Sequence, residues 1–313
     1  SSSFLWRTIG TKKQLLTDKI DLFHGLSHEI PIGLKQIGLP SIVTVHDLIF
    51  LKFPQYFGLI DRFIYTLKCR YACKHADKII AISEQTKKDI VSFFNIDDRN
   101  IEVVYQSCDE SFKTPINDAL KAQVKAKFAL PDHYILNVGT IETRKNLLLL
   151  IKALKDVPED YKLVVVGKET PYKRLVLEEI TRLLLKDRVI FLQNVPFNEL
   201  PAIYQMASIF IYPSFYEGFG IPIIEALYSA VPVIAATGSC LEEAGGPDSL
   251  YINPNNPTEL ADTINRVLED QELQTEMKQK GLSYVQRFKD DLIANQMMEV
   301  YKNVLANKLN TYQ

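Results

Sequence analysis

The sequence of 313 residues predicts an α/β protein with two domains, each built on a doubly wound parallel sheet. Short, nearly continuous apolar runs alternate with helical patterns along the whole chain. Runs of this kind are typical of strands that are covered on both faces, as in a parallel sheet. Their repeated alternation with helices indicates successive βαβ units.

The order of these runs predicts where the domains begin and end. Four strands are expected at 20–24, 41–47, 77–83 and 101–105, and six more at 134–139, 161–167, 188–193, 208–214, 231–236 and 249–253. The longer helices are expected at 171–186, 197–206, 257–287 and 290–308. The polar stretch 113–118 marks the joint. We therefore expect one domain at 1–113, a second at 114–289, and a last helix at 290–313 that crosses back to the first domain. Because the first domain has few strands, we expect it to be incomplete at its N-terminus.

Composition excludes several functional classes. A formal net charge of −2 provides no general field for nucleic acid. The cysteines, Cys69, Cys73, Cys108 and Cys240, are too few for a disulfide scaffold, lack zinc-finger spacing and suit a reducing cytoplasm. No run reaches the roughly 20 apolar residues of a spanning helix. The sequence has no Asp-x-Asp and its histidines are scattered, so a metal-free site is expected. No Gly-x-Gly-x-x-Gly follows a strand, which argues against an NAD-dependent oxidoreductase.

The most informative segment is PSFYEGFGIPIIEAL, residues 213–227, which follows a predicted strand and opens a helix. Pro222 suits the first helical turn, where its missing N–H costs nothing. Gly218 and Gly220 allow close backbone approach and positive φ. Free amides around Phe219, with the helix dipole behind them, can bind an anion. The sequence therefore predicts an anion site here.

Two carboxylates bracket this anion site, Glu217 in the loop and Glu225 in the expected first turn. Ionised carboxylates only accept hydrogen bonds, so they suit the hydroxyls of a sugar and a ribose. The spacing resembles the Glu-x7-Glu motif of retaining GT-B glycosyltransferases, above all glycosyltransferase family 4. The resemblance implies that Glu217 contacts the donor sugar and Glu225 the ribose.

A second segment, NVGTIETRKNLLLLIKAL at 137–154, resembles the strand, loop and helix of the same family that carries Arg-Lys-Asn. The resemblance implies that Lys145, with Arg144, neutralises the diphosphate of the donor. Many relatives have an arginine directly after the glycine, where this chain has Thr140. Arg144 is therefore the expected second cation.

Further matches lie in the first half. SIVTVHDLIF at 41–50 resembles a family strand that ends in a histidine facing the reacting sugar, and this role is carried to His46. His24 and His28 are expected on the acceptor side. Ser83 is expected to cap a helix. Gln106 and the serine after it replace an Asn-Gly found in many members.

The resemblance covers nearly the whole chain and implies a retaining hexosyltransferase. The donor would be a nucleotide sugar, GDP-mannose or a UDP-hexose, with no other cofactor. Mannose is favoured because the order of motifs resembles a bacterial mannosyltransferase subgroup that builds surface polysaccharide on a glycan or lipid-linked acceptor. A sugar phosphorylase or sucrose-synthase-like enzyme of the same fold, and a non-catalytic nucleotide-sugar-binding protein, stay open as alternatives.

One segment stands out by its charge. Residues 52–78 carry six lysines and arginines against two aspartates, with six aromatic rings interleaved. A basic, aromatic-rich helix can lie on an anionic bilayer. We therefore expect a cytoplasmic protein with peripheral contact at the inner face of the membrane. The alternative is that the rings pack inward and the charges form an ordinary solvated face.

Overall fold

The computed structural model describes residues 10–310, with side chains to residue 308, and the chain divides into two compact units. One unit contains the described residues up to Gln106 together with those from Phe288 onward. The other runs from Ser107 to Arg287. The last helix therefore belongs to the same unit as the first half of the chain.

The ten predicted strands are all present and all run parallel within their sheets, which confirms the α/β prediction. The sheet of the first unit has the order β1-β2-β3-β4, and that of the second has the order β10-β9-β8-β5-β6-β7. The strands are β1 Phe23–Gly25, β2 Ser41–Val45, β3 Lys78–Ala81, β4 Ile101–Val103, β5 Tyr134–Val138, β6 Lys162–Val166, β7 Val189–Leu192, β8 Ile209–Tyr212, β9 Val233–Ala236 and β10 Leu250–Ile252.

Helices follow most strands. They are α1 Thr11–Thr17, α2 Ile49–Lys52, α3 Leu59–His75, α4 Glu84–Phe94, α5 Asp118–Phe128, α6 Leu147–Leu154, α7 Lys173–Arg182, α8 Leu200–Gln205, α9 Ile221–Tyr228, α10 Leu241–Gly245, α11 Pro257–Glu269, α12 Gln271–Tyr284 and α13 Asp290–Asn310. Ser83 caps α4 as predicted, since its side chain accepts from the Thr86 amide at 3.0 Å. None of the described helices is long and apolar enough to cross a membrane.

The sheet of the first unit is buried on both faces because its strands alternate their side chains between two clusters. Val43 and Ile79 belong to the larger cluster, which includes the buried Cys69 and Cys73 of α3. Ile42 and Ile80 point to the other face, where residues of α13 pack on them. All four cysteines are buried thiols that form no disulfide.

The sheet of the second unit reverses its winding between β5 and β8, the central pair. From β5 the chain moves outward through β6 and β7, and from β8 it moves outward the other way through β9 and β10. Open α/β sheets bind ligands outside the carboxyl ends of the strands at such a switch point. The loops after β5 and β8 are therefore the place to look for a site.

One predicted helix is wrong. The helical pattern at 257–287 is divided into α11, α12 and a short 3-10 turn, Val285–Phe288. The break falls at Asp270, whose backbone is extended and whose side chain accepts from the Leu273 amide at 2.9 Å. The periodicity continues through the break, but the aspartate starts a new helix as its N-cap.

Candidate functional site

The loop after β5 brings two cations to the edge of the second sheet. It contains a 3-10 turn, Thr143–Lys145, and Asn146 in the left-handed conformation before α6 begins. Gly139 stands at the end of β5 with φ +151°, and a Cβ there would lie 3.6 Å from Cδ of Lys145. A side chain at position 139 would be strained at this φ, although its Cβ would make only ordinary van der Waals contact with the lysine. The reason for glycine here is therefore the backbone conformation.

The loops after β5 and β8 are joined by hydrogen bonds. The Phe215 amide donates to the Arg144 carbonyl at 2.9 Å. The Asn146 side chain donates to the carbonyls of Pro213, at 3.1 Å, and Pro254, at 2.8 Å. Buried amide groups satisfied in this way hold a loop in one conformation. These bonds fix the two cations against the loop that carries Glu217.

Glu217, Lys145 and Arg144 form one buried ion cluster. Nζ of Lys145 lies 2.7 Å from Oε1 of Glu217, and a guanidinium nitrogen of Arg144 lies 2.6 Å from Oε2. Glu217 is 8% exposed. The structure therefore brings together three residues that the sequence analysis assigned to the donor from two separate motifs.

The charge of Glu217 is maintained by its partners. Burial alone would raise the pKa of this carboxyl, but the neighbouring Lys145 and Arg144 outweigh burial and lower it. The pKa of Arg144 is raised: burial lowers it, and Glu217 together with Glu142 more than compensates. Glu217 is therefore an ionised acceptor at neutral pH, and Arg144 is shared between Glu217 and Glu142.

The two cations differ in how many protein partners they have. Arg144 also donates to Glu142, at 2.6 Å, and to the Tyr216 carbonyl, at 2.7 Å. Lys145 forms its ion pair with Glu217 and donates to the Tyr212 hydroxyl. The arginine fork is largely used in bracing the loop, whereas an ammonium on a flexible stem can turn to a ligand. Lys145 is thus the better placed of the two to bind a phosphate.

Tyr212, the last residue of β8, is a member of this cluster that the sequence analysis missed. Its hydroxyl accepts from Lys145 and donates to Oε1 of Glu217 at 3.1 Å. The lysine nitrogen also lies 4.8 Å from the centroid of the tyrosine ring. Burial raises the pKa of this tyrosine. The hydroxyl therefore stays protonated and fixes the spacing between the cation and the carboxylate.

The helix start after Glu217 differs from the sequence prediction in one detail. Gly220 has φ +124°, as expected, but Gly218 is not among the positive-φ glycines of the described residues. A Cβ at Gly220 would come within 3.2 Å of Leu241. The reason for glycine at 220 is therefore backbone conformation and close packing, and the prediction of positive φ at 218 is wrong.

Cys240 contacts this loop and is a second residue that the sequence analysis missed. Its thiol lies 3.1 Å from the carbonyl oxygen of Glu217 and 3.0 Å from that of Phe219, both as acceptors. A trans peptide places each carbonyl opposite the next N–H. The amides of Gly218 and Gly220 therefore point away from the sulfur. Burial raises the pKa of the thiol, which keeps it a donor.

Glu225 lies in a different environment from Glu217. It is the fifth residue of α9, so the expectation that it stands in the first turn is wrong; the described first turn has no acidic residue. The Tyr204 hydroxyl donates to its Oε2 at 2.7 Å. Burial raises the pKa of Glu225 to about 7, and the nearby Asp109 adds to this, while Tyr204 opposes it. Glu225 is therefore only partly ionised near neutral pH.

His46 stands at the end of β2 in the first unit, where the sequence analysis placed it. Its Nε2 lies 2.8 Å from the Leu26 carbonyl, and the Gln106 amide lies 3.4 Å from its Nδ1. A carbonyl can only accept, so Nε2 carries the proton and Nδ1 is the acceptor. Gln106, a departure from the family pattern, is thus a neighbour of this histidine.

The side chains of His28 and His24 both form hydrogen bonds within the first unit. Nε2 of His28 lies 3.1 Å from the Asp47 carbonyl oxygen and 3.2 Å from the His46 amide nitrogen, and burial lowers the pKa of this histidine. His24 bonds the Tyr301 hydroxyl of α13 with one ring nitrogen and Thr44 with the other, each at 2.8 Å. Both histidines therefore stabilise the edge of the sheet. Within residues 10–310, no group of histidine, cysteine and acidic side chains is arranged to hold a metal.

Comparison with known proteins agrees with this geometry. The family model described as "Glycosyl transferases group 1" matches residues 118–283, more than half of the chain. A second model, "Glycosyltransferase Family 4", matches residues 2–112. The first match contains the whole ion cluster and Glu225.

Two curated relatives and one solved structure illustrate the similarity. O-antigen chain mannosyltransferase RfbU of Salmonella typhimurium is 31% identical over 240 residues, which are 77% of this chain and 63% of that protein. O-antigen chain mannosyltransferase B of Escherichia coli is 28% identical over 90% of this chain and 74% of its own length. This chain thus spans less than two thirds of RfbU.

The sucrose-phosphate synthase of Thermosynechococcus elongatus resembles the chain in structure, with a TM-score of 0.79, 23% identity, and coverage of 95% of this chain and 76% of that one. Identity this low shows the fold alone. The two Rossmann-like parallel-sheet domains of the GT-B type are thereby confirmed. The chain belongs to the glycosyl transferases group 1 family.

Proposed function

We propose that this chain is a retaining hexosyltransferase that uses a nucleotide-sugar donor. The observation that carries the proposal is the buried cluster in which Glu217 meets Lys145 and Arg144 at the switch point of the second sheet. The cluster offers an ionised acceptor for sugar hydroxyls and a cation, Lys145, for a diphosphate. A nucleotide sugar carries sugar hydroxyls and a diphosphate side by side.

Each residue then has a distinct task. Lys145 binds the diphosphate, with Arg144 and the amides of Gly218, Phe219 and Gly220 as further donors. Glu217 accepts from hydroxyls of the donor sugar. Glu225 accepts from the ribose hydroxyls, in line with its burial beside Tyr204. The assignment of His46 to the reacting sugar stays a prediction from the family resemblance.

The proposed chemistry is front-face attack. The bond from the anomeric carbon to the phosphate oxygen breaks, and a bond from the acceptor oxygen to the same face of that carbon forms. The proton of the acceptor hydroxyl passes to the departing phosphate oxygen. Lys145 and Arg144 stabilise the negative charge that develops on the diphosphate, which is the largest contribution that a preorganised site makes.

The names of the relatives favour mannose as the sugar. RfbU and mannosyltransferase B are both O-antigen chain mannosyltransferases. We infer that GDP-mannose is the first donor to test, a UDP-hexose the second, and that the acceptor is a glycan or lipid-linked sugar in surface polysaccharide synthesis. We further propose that the reaction takes place at the cytoplasmic face of the membrane.

The test is nucleotide release from a panel of donors. Each assay contains one candidate donor and a lipid-linked or synthetic mannoside acceptor. The candidates are GDP-mannose, UDP-glucose, sucrose with orthophosphate, and NAD with a reductant. We expect GDP release that depends on acceptor, and a product whose anomeric configuration by NMR matches the donor. Release from neither nucleotide sugar, or a product of inverted configuration, would contradict the proposal.

A further inference from the structure

Helix α3 presents an apolar surface to solvent. Leu59, Ile60 and Phe63 are 76%, 75% and 64% exposed, and Leu67 is 52% exposed. Six of the 17 large hydrophobic side chains that are exposed in residues 10–310 fall within residues 56–67. Scattered exposed apolar residues are ordinary, but a contiguous group marks an interaction site.

The spacing places these residues on one side of the helix. Positions three or four apart lie on the same face, and the following residues recur at that interval: Leu59, Phe63, Leu67, Arg70 and Lys74. Ile60 lies beside them. The residues of α3 buried against the sheet are Cys69, Ala72 and Cys73, on the opposite side. We call the exposed face, Leu59, Ile60, Phe63, Leu67, Arg70 and Lys74, the α3 stripe.

Chemistry changes along the α3 stripe from one end to the other. Its first half is aliphatic and aromatic, whereas its second half consists of the exposed Arg70 and Lys74. The guanidinium of Arg70 lies 5.6 Å from the centroid of the Phe94 ring, which holds it near the surface. At 1.5 Å rise per residue the stripe is about 22 Å long. It thus presents an apolar end and a cationic end in sequence.

We propose that the α3 stripe docks the protein on an anionic lipid bilayer, with Leu59, Ile60 and Phe63 entering the hydrocarbon boundary and Arg70 and Lys74 at the lipid phosphates. A bilayer surface offers hydrocarbon and anionic headgroups together. The cationic end favours this occupant over a second copy of the chain, because lipid phosphates complement Arg70 and Lys74, whereas an identical stripe contains no acidic residue.

The sequence analysis expected aromatic rings at the membrane, and the structure changes that list. Phe57 and Tyr71 are only partly exposed and pack on the larger cluster, and the partly exposed Phe53 stacks on Tyr56. The most exposed members of the surface are instead two aliphatic residues, Leu59 and Ile60, which the composition of the segment did not single out. The rings that pack inward therefore confirm part of the alternative interpretation.

Vesicle co-sedimentation tests the proposal. Vesicles of phosphatidylcholine alone are compared with vesicles that also contain phosphatidylglycerol, at low and high salt. The wild type should bind anionic vesicles at low salt and lose most of that binding at high salt. The Leu59→Ser, Phe63→Ser double variant should bind at least about 10-fold more weakly. Arg70→Gln and Lys74→Gln should each weaken binding about five-fold.

The matched control is the Leu175→Ser, Leu177→Ser double variant on α7, where both residues are also about half-exposed. It should bind vesicles like the wild type. Circular dichroism establishes that each variant is folded. A Phe63→Trp variant gives a second readout, since its emission should shift to the blue on anionic vesicles and that of Leu175→Trp should not.

Three results would overturn the proposal: no binding by the wild type, equal binding to neutral vesicles, or stripe variants that bind normally. A stripe variant that changes a dimer to a monomer in sedimentation velocity, without vesicles, would assign the face to a second copy. The purpose of docking, access to a lipid-linked acceptor, rests on the proposed function. Nucleotide release with a soluble acceptor separates the two, because it does not require vesicles.

Discussion

Glu217 and Glu225, eight positions apart in sequence, are almost equally buried, yet their pKa values are shifted in opposite directions. Their exposed fractions are 8% and 9%. The pKa of Glu217 is lowered, whereas that of Glu225 is raised to about 7. Burial acts on both in the same sense, so the difference arises from their neighbours.

Those neighbours come from different parts of the fold. Glu217 lies in a loop beside Lys145 and Arg144, which the loop after β5 supplies. Glu225 lies inside α9, beside the Tyr204 hydroxyl and within the field of Asp109. A buried carboxylate next to cations keeps its charge, whereas burial and a second carboxylate raise the pKa of Glu225 by more than the hydrogen bond from Tyr204 lowers it.

The difference suits two separate tasks in a nucleotide-sugar site. An ionised Glu217 accepts strong hydrogen bonds from sugar hydroxyls and organises the cations near a diphosphate. Glu225, which is only partly ionised near neutral pH, becomes more fully ionised when hydroxyl donors bind to it, so ligand binding should lower its pKa. The site thus has one carboxylate that is ionised before the ligand binds and one whose ionisation the ligand increases.

The largest expected effect is that of Glu217→Gln. Turnover should fall on the order of 100-fold, because the variant loses both the sugar contact and the partner that orients Lys145. The free energy of unfolding should fall by about 3 kcal/mol, since Lys145 loses its carboxylate partner and Arg144 loses one of two. The measurements are nucleotide release and urea unfolding.

Glu142→Gln is the matched control. Glu142 also pairs with Arg144, but its side chain is 36% exposed. An exposed pair of this kind contributes about 0–1 kcal/mol, so the control should keep turnover and stability near the wild type. If both variants lost activity equally, the buried position of Glu217 would not be what matters.

Glu225→Gln should change how the stability of the protein depends on pH. A raised pKa means that the native state holds a proton which the unfolded chain releases above pH 4.5, so stability is lost as pH rises from 4.5 to about 7. The glutamine variant has no such loss. At pH 8 it should be more stable than the wild type by up to about 3 kcal/mol.

Thermal unfolding from pH 4 to 8 checks this prediction, with Glu178→Gln on α7 as an exposed control whose pH profile should match the wild type. A Glu225→Gln variant with the wild-type profile would mean that Glu225 is ionised throughout. The two glutamates would then have the same charge, and the contrast between them would be wrong.

Much of this arrangement could be predicted from sequence because the signals are local. Parallel strands are marked by apolar runs, and the loop glycines and Glu-x7-Glu motif are contiguous. Ser83 as a cap and His46 at a strand end are also local features. These are the properties that a short window of sequence determines.

What sequence could not reveal depends on contacts between distant residues. Tyr212 joins Lys145 to Glu217, and Cys240 supports the loop of Glu217, but neither stands out in its own segment. The break at Asp270 was missed because the helical periodicity continues through it. The aliphatic residues of the α3 stripe were missed because exposure is decided by packing of the rest of the helix on the sheet.

The central claim is that the cluster around Glu217 binds the diphosphate of the donor through Lys145. Calorimetric titration of GDP into Lys145→Gln tests it most directly, with Lys127→Gln as control, since Lys127 pairs with Glu199 at the surface of the same unit. We predict that Lys145→Gln weakens GDP binding at least about 10-fold, the effect of one charge-assisted hydrogen bond, and that Lys127→Gln binds like the wild type. Equal affinity of the two variants for GDP would contradict the account.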